Sequence, residues 1–224
     1  MILTHRQHLR GSRLARVVVL LAVLILGACG DRSSSPQPTP GDGDRGGTLR
    51  IKVTDRAGRP VAQLRSGRKT LHLELTLGES TVVVDGERAG EVRRYREGAR
   101  LLAEATTEHG VTRAQGSDGR RLFELRGSGR RVRVFLGEAP GKLVVFARPA
   151  PERLRVLAGE REPEIGRVTH DGGRTRVRVR DPQGEALYES TSPRLSALFG
   201  VLLLADLPDR DKAVLMAELL WNGL

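Results

Sequence analysis

Residues 195–205 read LSALFGVLLLA, a stretch with no charged side chain and with Ser196 as its one polar side chain. A helix of this composition has no polar face, and such a helix must be surrounded by protein. As an α-helix the stretch reaches about 16 Å, short of the roughly 30 Å hydrocarbon core of a bilayer. Ser192-Pro193 just before it is a favourable pair for an N-cap and a first turn. The stretch therefore predicts a helix buried in the folded domain.

A second, shorter helix is predicted over residues 208–221. It begins at a proline and carries Asp209 and Asp211 in its first turn, where carboxylates interact favourably with the helix dipole. Asn222-Gly223 is a typical stop signal. Residues 193–224 are thus predicted to form two helices that complete the same domain as the preceding residues.

Residues 48–192 show the period-two alternation of half-buried β-strands. Apolar residues hold every second position in four clear segments: Leu49, Ile51 and Val53; Leu71, Leu73, Leu75 and Leu77; Val132, Val134 and Leu136; Val177 and Val179. Asp-Gly and related turn sequences separate the segments, as tight hairpins require. We predict a mainly β domain, an antiparallel meander of about twelve short strands.

Periodicity leaves open how these strands surround the apolar helix. One arrangement is a single closed barrel, which leaves no exposed strand edge. The other is a β-sandwich of two packed sheets with the C-terminal helices as a cap.

Many short strands followed by an all-apolar C-terminal helix resemble the tubby-like and LURP-one-related family. The passages that carry the resemblance are Glu164 to Val168, Asp171-Gly172, Asp181 to Gly184 and Leu187 to Glu189, which look like that family's later hairpins. The resemblance covers residues 48–205 and implies a twelve-stranded barrel closed around a hydrophobic helix. The family's phosphoinositide-binding positions have no identifiable match here, and the second helix departs from the family pattern.

The first 28 residues have the composition of a secretory signal peptide. Residues 1–16 contain four arginines and no acidic residue, and residues 17–28 are the apolar run VVVLLAVLILGA. As a helix this run reaches about 18 Å, too short to span a bilayer. We predict that residues 1–28 are cleaved off. The alternative is an uncleaved signal anchor in which the following cysteine has no role.

The segment Leu26-Gly27-Ala28-Cys29 resembles the lipobox of bacterial lipoprotein precursors. The resemblance implies cleavage before Cys29, transfer of a diacylglycerol to its thiol and acylation, as with palmitate, of the new amino group. Cys29 is the single cysteine of the chain, which excludes intrachain disulfides and cysteine-based metal sites. In lipoproteins of two-membrane bacteria, Asp directly after the cysteine favours the inner membrane. Gly30 follows it here, which favours the periplasmic face of the outer membrane.

Residues 30–47, GDRSSSPQPTPGDGDRGG, contain no large apolar side chain. Such a segment buries too little surface to offset the entropy lost on ordering, and as a flexible tether it averages about 23 Å end to end. The predicted organisation is therefore a signal peptide over residues 1–28, the lipidated cysteine and linker over 29–47, the β domain over 48–192 and the helices over 193–224.

Composition and motifs favour a non-enzyme. The chain has a net charge of +11 but only 3% aromatic residues, which argues against base-stacking platforms for nucleic acid. The mature chain would contain His72, His109 and His170, and none has the spacing of a metal ligand. We predict no cofactor and no metal site, and surface positions for the histidines. A hydrolase that uses His109 or His170 remains an alternative.

An arginine ladder is the polar feature with a clear direction. Arg174, Arg176, Arg178 and Arg180 alternate with apolar or small residues, so all four leave one face of a strand. Neighbours on that face lie about 6.6 Å apart and repel one another, which requires nearby anions. These are either cross-strand carboxylates, with candidates Glu162, Glu164, Glu185 and Glu189, or an external anion such as a lipid headgroup. Arg130, Arg131 and Arg133 extend the basic face if their strand is adjacent.

The sequence as a whole predicts a lipid-anchored envelope protein whose β domain binds or scaffolds a component of the periplasm without catalysis. An anionic-lipid-binding tubby-like module and a hydrolase are the two alternatives.

Overall fold

The strands of the domain form one closed antiparallel barrel. A computed structural model of the chain describes residues 48–161, 163–171, 176–192 and 195–224. Each strand pairs with its neighbours in sequence, and the first strand pairs with the last to complete the ring. The fourteen strands are β1 (Leu49–Asp55), β2 (Pro60–Ser66), β3 (Thr70–Leu77), β4 (Ser80–Ala89), β5 (Val92–Glu97), β6 (Arg100–Glu108), β7 (Val111–Gly116), β8 (Arg121–Ser128), β9 (Arg131–Leu136), β10 (Lys142–Ala150), β11 (Arg153–Leu157), β12 (Glu164–His170), β13 (Arg176–Arg180) and β14 (Ala186–Thr191).

The closed barrel predicted as one of two arrangements is confirmed, and the sandwich is wrong. The strand number is fourteen, close to the predicted twelve. Polar strands such as β5, with the sequence VRRYRE, show little apolar alternation, and for this reason they are hard to recognise in the sequence. The predicted signal peptide, Cys29 and the linker lie outside the described residues, as do Glu162, Pro193 and Arg174.

Alternation along the strands separates an apolar interior from a charged exterior. In β3, Leu71, Leu73 and Leu75 are buried, whereas the intervening His72 is exposed, as predicted. The largest fully buried side chains include Phe123 and Phe146 from the barrel wall. The exterior is bridged by pairs between arginine and acidic side chains, of which Arg94 and Glu104 on β5 and β6, 2.9 Å apart, are typical.

Two helices fill the interior of the barrel. A 3₁₀ helix spans Ala197–Leu203 and an α-helix, α1, spans Asp209–Trp221. Barrel diameter grows with strand number, and eight strands already enclose a space that side chains can fill. Fourteen strands enclose more, and the helices occupy that space with buried residues on all their faces. Among the described residues, no helix has the length and apolar character that crossing a membrane requires.

The 3₁₀ helix begins later than the sequence predicts. Its N-cap is Ser196, whose hydroxyl accepts a hydrogen bond from the Leu198 amide at 3.3 Å, rather than Ser192. The second helix lies where the sequence predicts it, with Asp209 and Asp211 in its first turn.

The meander sends successive hairpins to opposite ends of the barrel. We call the end where β1 begins the near end and the end with the β1–β2 hairpin the far end. The 3₁₀ helix runs from the near end to the far end, and α1 runs back, so that the backbone oxygen of Leu224 accepts a hydrogen bond from the amide of Ala197 at 3.2 Å. The connection over residues 204–208 therefore lies at the far end.

Gly200 permits a close contact between the 3₁₀ helix and the barrel wall. A Cβ atom there would lie 2.8 Å from both Phe146 Cε1 and Val156 Cγ2. These contacts are shorter than packed atoms tolerate, so the position requires glycine.

We therefore expect Gly200→Ala to lower the free energy of unfolding by about 1–3 kcal/mol, the usual cost of overpacking a core. Urea unfolding of the purified protein measures it. Gly67→Ala is the control, because the nearest atom to its Cβ would be Thr70 Oγ1 at 3.5 Å, an ordinary contact. Equal effects of the two substitutions would contradict the packing described here.

Candidate functional site

A cavity of about 370 Å³ opens at the far end of the barrel. Its walls come from strands β8 to β12 and from the connection between the two helices. Most of the lining is apolar: Leu122, Leu136, Val144, Ala158, Ile165, Leu203, Leu204 and Leu207. Ligand sites in proteins are concave, mostly apolar and of this size, with a few polar groups at defined places.

Four charged side chains lie around this far-end cavity. Lys142 Nζ and Asp206 Oδ2 form an ion pair at 2.7 Å on the exposed rim. Arg120 and Asp211 also line it, and their closest charged atoms are 3.5 Å apart. The cavity thus has an apolar interior, one closed ion pair at its rim and one looser pair in its wall.

Arg120 is held loosely. Its guanidinium lies 3.5 Å from Asp211 and 3.9 Å from Asp118, beyond the usual range of 2.7–3.2 Å for an N–H···O hydrogen bond. The backbone amide of Arg120, by contrast, donates to Asp118 Oδ1 at 3.0 Å and fixes the turn between β7 and β8. The backbone is therefore fixed while the guanidinium donors remain available.

A smaller recess of about 150 Å³ adjoins the far-end cavity. We call it the arginine recess, because Arg100, Arg120 and Arg210 line it. Arg120, Leu122 and Asp211 belong to the walls of both spaces. A polar compartment and an apolar compartment therefore share one wall.

Asp211 is the buried acid of this wall. Only 11% of its side chain is exposed. Burial raises the pKa of the Asp211 carboxyl, and the nearby Arg120 guanidinium opposes the rise. The carboxylate is thus held in a site that favours its protonated form more than water does.

A buried polar cluster inside the barrel is the second candidate. Glu218 of α1 is fully buried and accepts hydrogen bonds from Arg93 Nε at 2.8 Å, from Tyr95 and from the Asn222 amide at 3.2 Å. The Arg93 guanidinium also donates a hydrogen bond to the Thr107 hydroxyl. Burial raises the pKa of Glu218, and the Arg93 guanidinium opposes the rise.

This buried polar cluster has the features of a structural element. Arg93, Tyr95 and Glu218 line none of the five cavities described for the domain. Every polar atom of Glu218 has a partner within the barrel. The cluster fixes the position of α1 against β5, and the far-end cavity with its recess is the better candidate for function.

The arginine ladder is largely paired on the barrel exterior. Arg178 lies 2.9 Å from Glu189 and 3.2 Å from Asp171, Arg176 lies 3.9 Å from Glu189, and Arg180 donates to the Gly184 carbonyl at 2.7 Å. The bond to Glu189 raises the pKa of Arg178. Carboxylates therefore pair with Arg176 and Arg178, a carbonyl accepts from Arg180, and binding of an external anion stays a prediction.

The other basic and acidic candidates lie elsewhere. Arg131 and Arg133 on β9 both bond to Glu160. Strands β10 to β12 separate β9 from β13, so these arginines do not extend the ladder. Glu164 pairs with Arg155 at 2.6 Å and Glu185 with Arg56 at 2.5 Å.

Of the three histidines among the described residues, His72 lines an exterior cavity of about 400 Å³ together with Asp85, whereas His109 and His170 line none of the five described cavities. His109 occupies an exposed turn with a positive φ of 50°, and His170 Nε2 lies 3.1 Å from the Ser192 carbonyl. His72 Nδ1 lies 2.8 Å from Asp85 Oδ1 on the exterior. Over the described residues, no group of three or more His, Cys, Asp or Glu side chains is arranged to hold a metal ion.

Sequence reasoning missed the residues of the far-end cavity and of the buried cluster. A signal was present for Glu218, because it is the single charged residue in the otherwise apolar run VLMAELLW and Glu is rarely fully buried unless it is paired. Arg100, Arg120 and Asp211 gave no comparable signal, because they are far apart in the chain and only barrel closure brings them together.

The buried ion pair predicts that substitution of Arg93 lowers the free energy of unfolding much more than substitution of its neighbour Arg94. Arg93→Met leaves the Glu218 carboxylate buried without its cation, and we expect a loss of about 3–5 kcal/mol in the free energy of unfolding. The double variant Arg93→Met/Glu218→Leu restores most of it, because an apolar pair replaces the ionic one. Arg94→Met, which breaks a half-exposed pair on the same strand, costs less than about 1 kcal/mol. Denaturant unfolding compares the variants; equal losses for Arg93 and Arg94 would refute the assignment.

The raised pKa of Asp211 predicts a pH dependence of stability. The folded protein retains the Asp211 proton to higher pH than the unfolded chain does. Ionisation of this carboxyl therefore lowers the free energy of unfolding as the pH rises above the ordinary pKa of 3.8. We therefore compare the free energy of unfolding of Asp211→Asn with that of the unchanged protein. The variant should gain on the unchanged protein between pH 3.5 and pH 7. Unfolding at both pH values measures the difference, and a difference that shrinks with pH would contradict the assignment.

No protein-family model, curated protein or solved structure matches the chain.

Proposed function

We propose that this chain is a lipid-anchored protein of the bacterial envelope, whose barrel domain binds a ligand in the periplasm without catalysing a reaction. The observation that carries the proposal is the segment LGAC at residues 26–29, which places the single cysteine at the end of a basic and then apolar leader. A thiol in this position is the acceptor for a diacylglycerol in bacterial lipoproteins.

Anchoring by lipid is consistent with the energetics of acyl chains. Each buried methylene contributes about 0.8 kcal/mol, so one chain holds a protein marginally whereas two or three chains hold it stably. A diacylated thiol with an acylated amino group supplies three chains. The Ser- and Pro-rich linker up to residue 47 then gives the domain a reach of about 23 Å.

The far-end cavity is remote from the start of the described chain. β1 begins at the near end of the barrel, where Leu49 pairs with Ser66 beside the β2–β3 turn. The far-end cavity lies at the opposite end of the barrel.

The chemistry of the far-end cavity supports binding rather than catalysis. Its ionisable groups are Arg120, Lys142, Asp206 and Asp211, and the lining contains no serine, threonine, cysteine, histidine or tyrosine. Such a lining offers shape, apolar surface and charge, and its ionisable groups face one another, with Lys142 2.7 Å from Asp206 and Arg120 3.5 Å from Asp211. Placement at the outer membrane follows from Gly30 after the cysteine and belongs to the same proposal.

Metabolic labelling with an alkyne analogue of palmitate, in the native host, tests the proposal. We expect label on the protein, an N-terminus that begins at the modified Cys29 in mass spectra, and recovery with the outer membrane. Cys29→Ser loses the label and keeps residues 1–28. The double variant Cys29→Ser/Ser34→Cys is the matched control, because it moves the thiol by five positions and should also stay unlabelled. An unlabelled wild-type protein that still begins at Met1 would overturn the proposal.

A further inference from the structure

The far-end cavity and the arginine recess differ in polarity although they share a wall. Leucine, valine and isoleucine side chains dominate the larger space, whereas three arginines and two aspartates stand among the ten residues that line the smaller one. A molecule that occupies both spaces must therefore have an apolar part and a charged part.

The unused guanidinium donors of the arginine recess favour an anion. Arg210 is engaged with Glu97 at 2.7 Å, whereas the described residues hold no hydrogen-bond partner for the Arg100 side chain and only the loose contacts of Arg120. Asp118 and Asp211 are the acids of the recess, and both lie near Arg120. Two guanidinium groups thus retain donors for a carboxylate, which arginine binds through paired N–H groups.

The volumes limit the size of the occupant. At roughly 30 Å³ for a water-sized group, the 370 Å³ of the far-end cavity hold about twelve non-hydrogen atoms, and the 150 Å³ of the recess hold about five more. One acyl chain of medium length with a small head group fills this volume.

We propose that the far-end cavity and the arginine recess form one binding site for a single-chain amphiphile with an anionic head group, of the class of medium-chain carboxylates. The carboxylate lies in the recess between Arg100 and Arg120, and the alkyl chain passes Leu122 into the apolar cavity. This inference rests on the proposed binding function and names its ligand class.

Three probes and two variants measure separately how the charged head group and the apolar chain contribute to binding. The full-length protein in nanodiscs of zwitterionic lipid is titrated calorimetrically with octanoate, octanol and octyltrimethylammonium, with protein-free nanodiscs as the reference. We expect octanoate to bind more tightly than octanol and octyltrimethylammonium not to bind. In Arg100→Gln/Arg120→Gln, octanoate affinity falls about tenfold or more, as for loss of a hydrogen bond to a charged group, while octanol affinity stays unchanged.

The apolar part of the site is tested by filling it. Ala205 is exposed and lines the far-end cavity, so Ala205→Phe narrows the space with little effect on the core, and it should weaken both octanoate and octanol. Arg153→Gln is the control, because Arg153 is an exposed arginine at the near end of the barrel. This variant should bind octanoate with unchanged affinity. Thermal unfolding of each variant verifies that it is folded.

Several outcomes would overturn the inference: equal binding of octanoate and octyltrimethylammonium, unchanged octanoate affinity in the double arginine variant, or unchanged affinity in Ala205→Phe. The mass of the N-terminus, measured on the same preparation, reports lipidation of Cys29 independently. Loss of octanoate binding in a lipidated protein therefore removes the ligand class alone, and an unlipidated protein that binds octanoate removes the anchor alone.

Discussion

Closure of the sheet between β1 and β14 is the constraint on which the rest of the structure depends. Pairing of Val53 with Ser190 joins the first and last strands of the fourteen-stranded meander. Neither strand therefore keeps an unpaired edge. A ring of this size encloses more space than the inward side chains fill, so the C-terminal helices have to occupy it. The apolar character of the 3₁₀ helix and the polar exterior of the barrel both follow from that closure.

The sequence predicted the class of the fold well, because the relevant signals are local. Alternation in β3 and the run around Phe199 report directly which side chains are buried, and Pro208 with Asn222 marks the ends of α1. The number of strands was harder, since β5 carries arginine on both faces. Arg93 points inward, where a partner supplied by α1, 125 residues later in the chain, neutralises it. No local pattern reports such a partner.

The candidate site is invisible in the sequence for a related reason. Arg100 is the first residue of β6, Arg120 lies in the β7–β8 hairpin, and Arg210 lies in the first turn of α1. Each alone has the character of an ordinary surface arginine. The arginine ladder, by contrast, is obvious in the sequence, and in the structure Glu189 on the adjacent strand pairs with its members Arg176 and Arg178. A run of charge along one strand is thus visible in the sequence, whereas convergence of charges from separate elements is not.

Pairing of the first strand with the last also governs when this domain can assemble. The contact between Thr54 and Glu189 joins residues 135 positions apart, and the helices that fill the interior follow the last strand. Synthesis from the amino terminus delivers β1 first and the apolar filling last. Assembly dominated by such distant contacts is slow, and open strand edges invite association with other chains. The unfinished wall therefore has to stay apart from other chains until β14 and the helices are available.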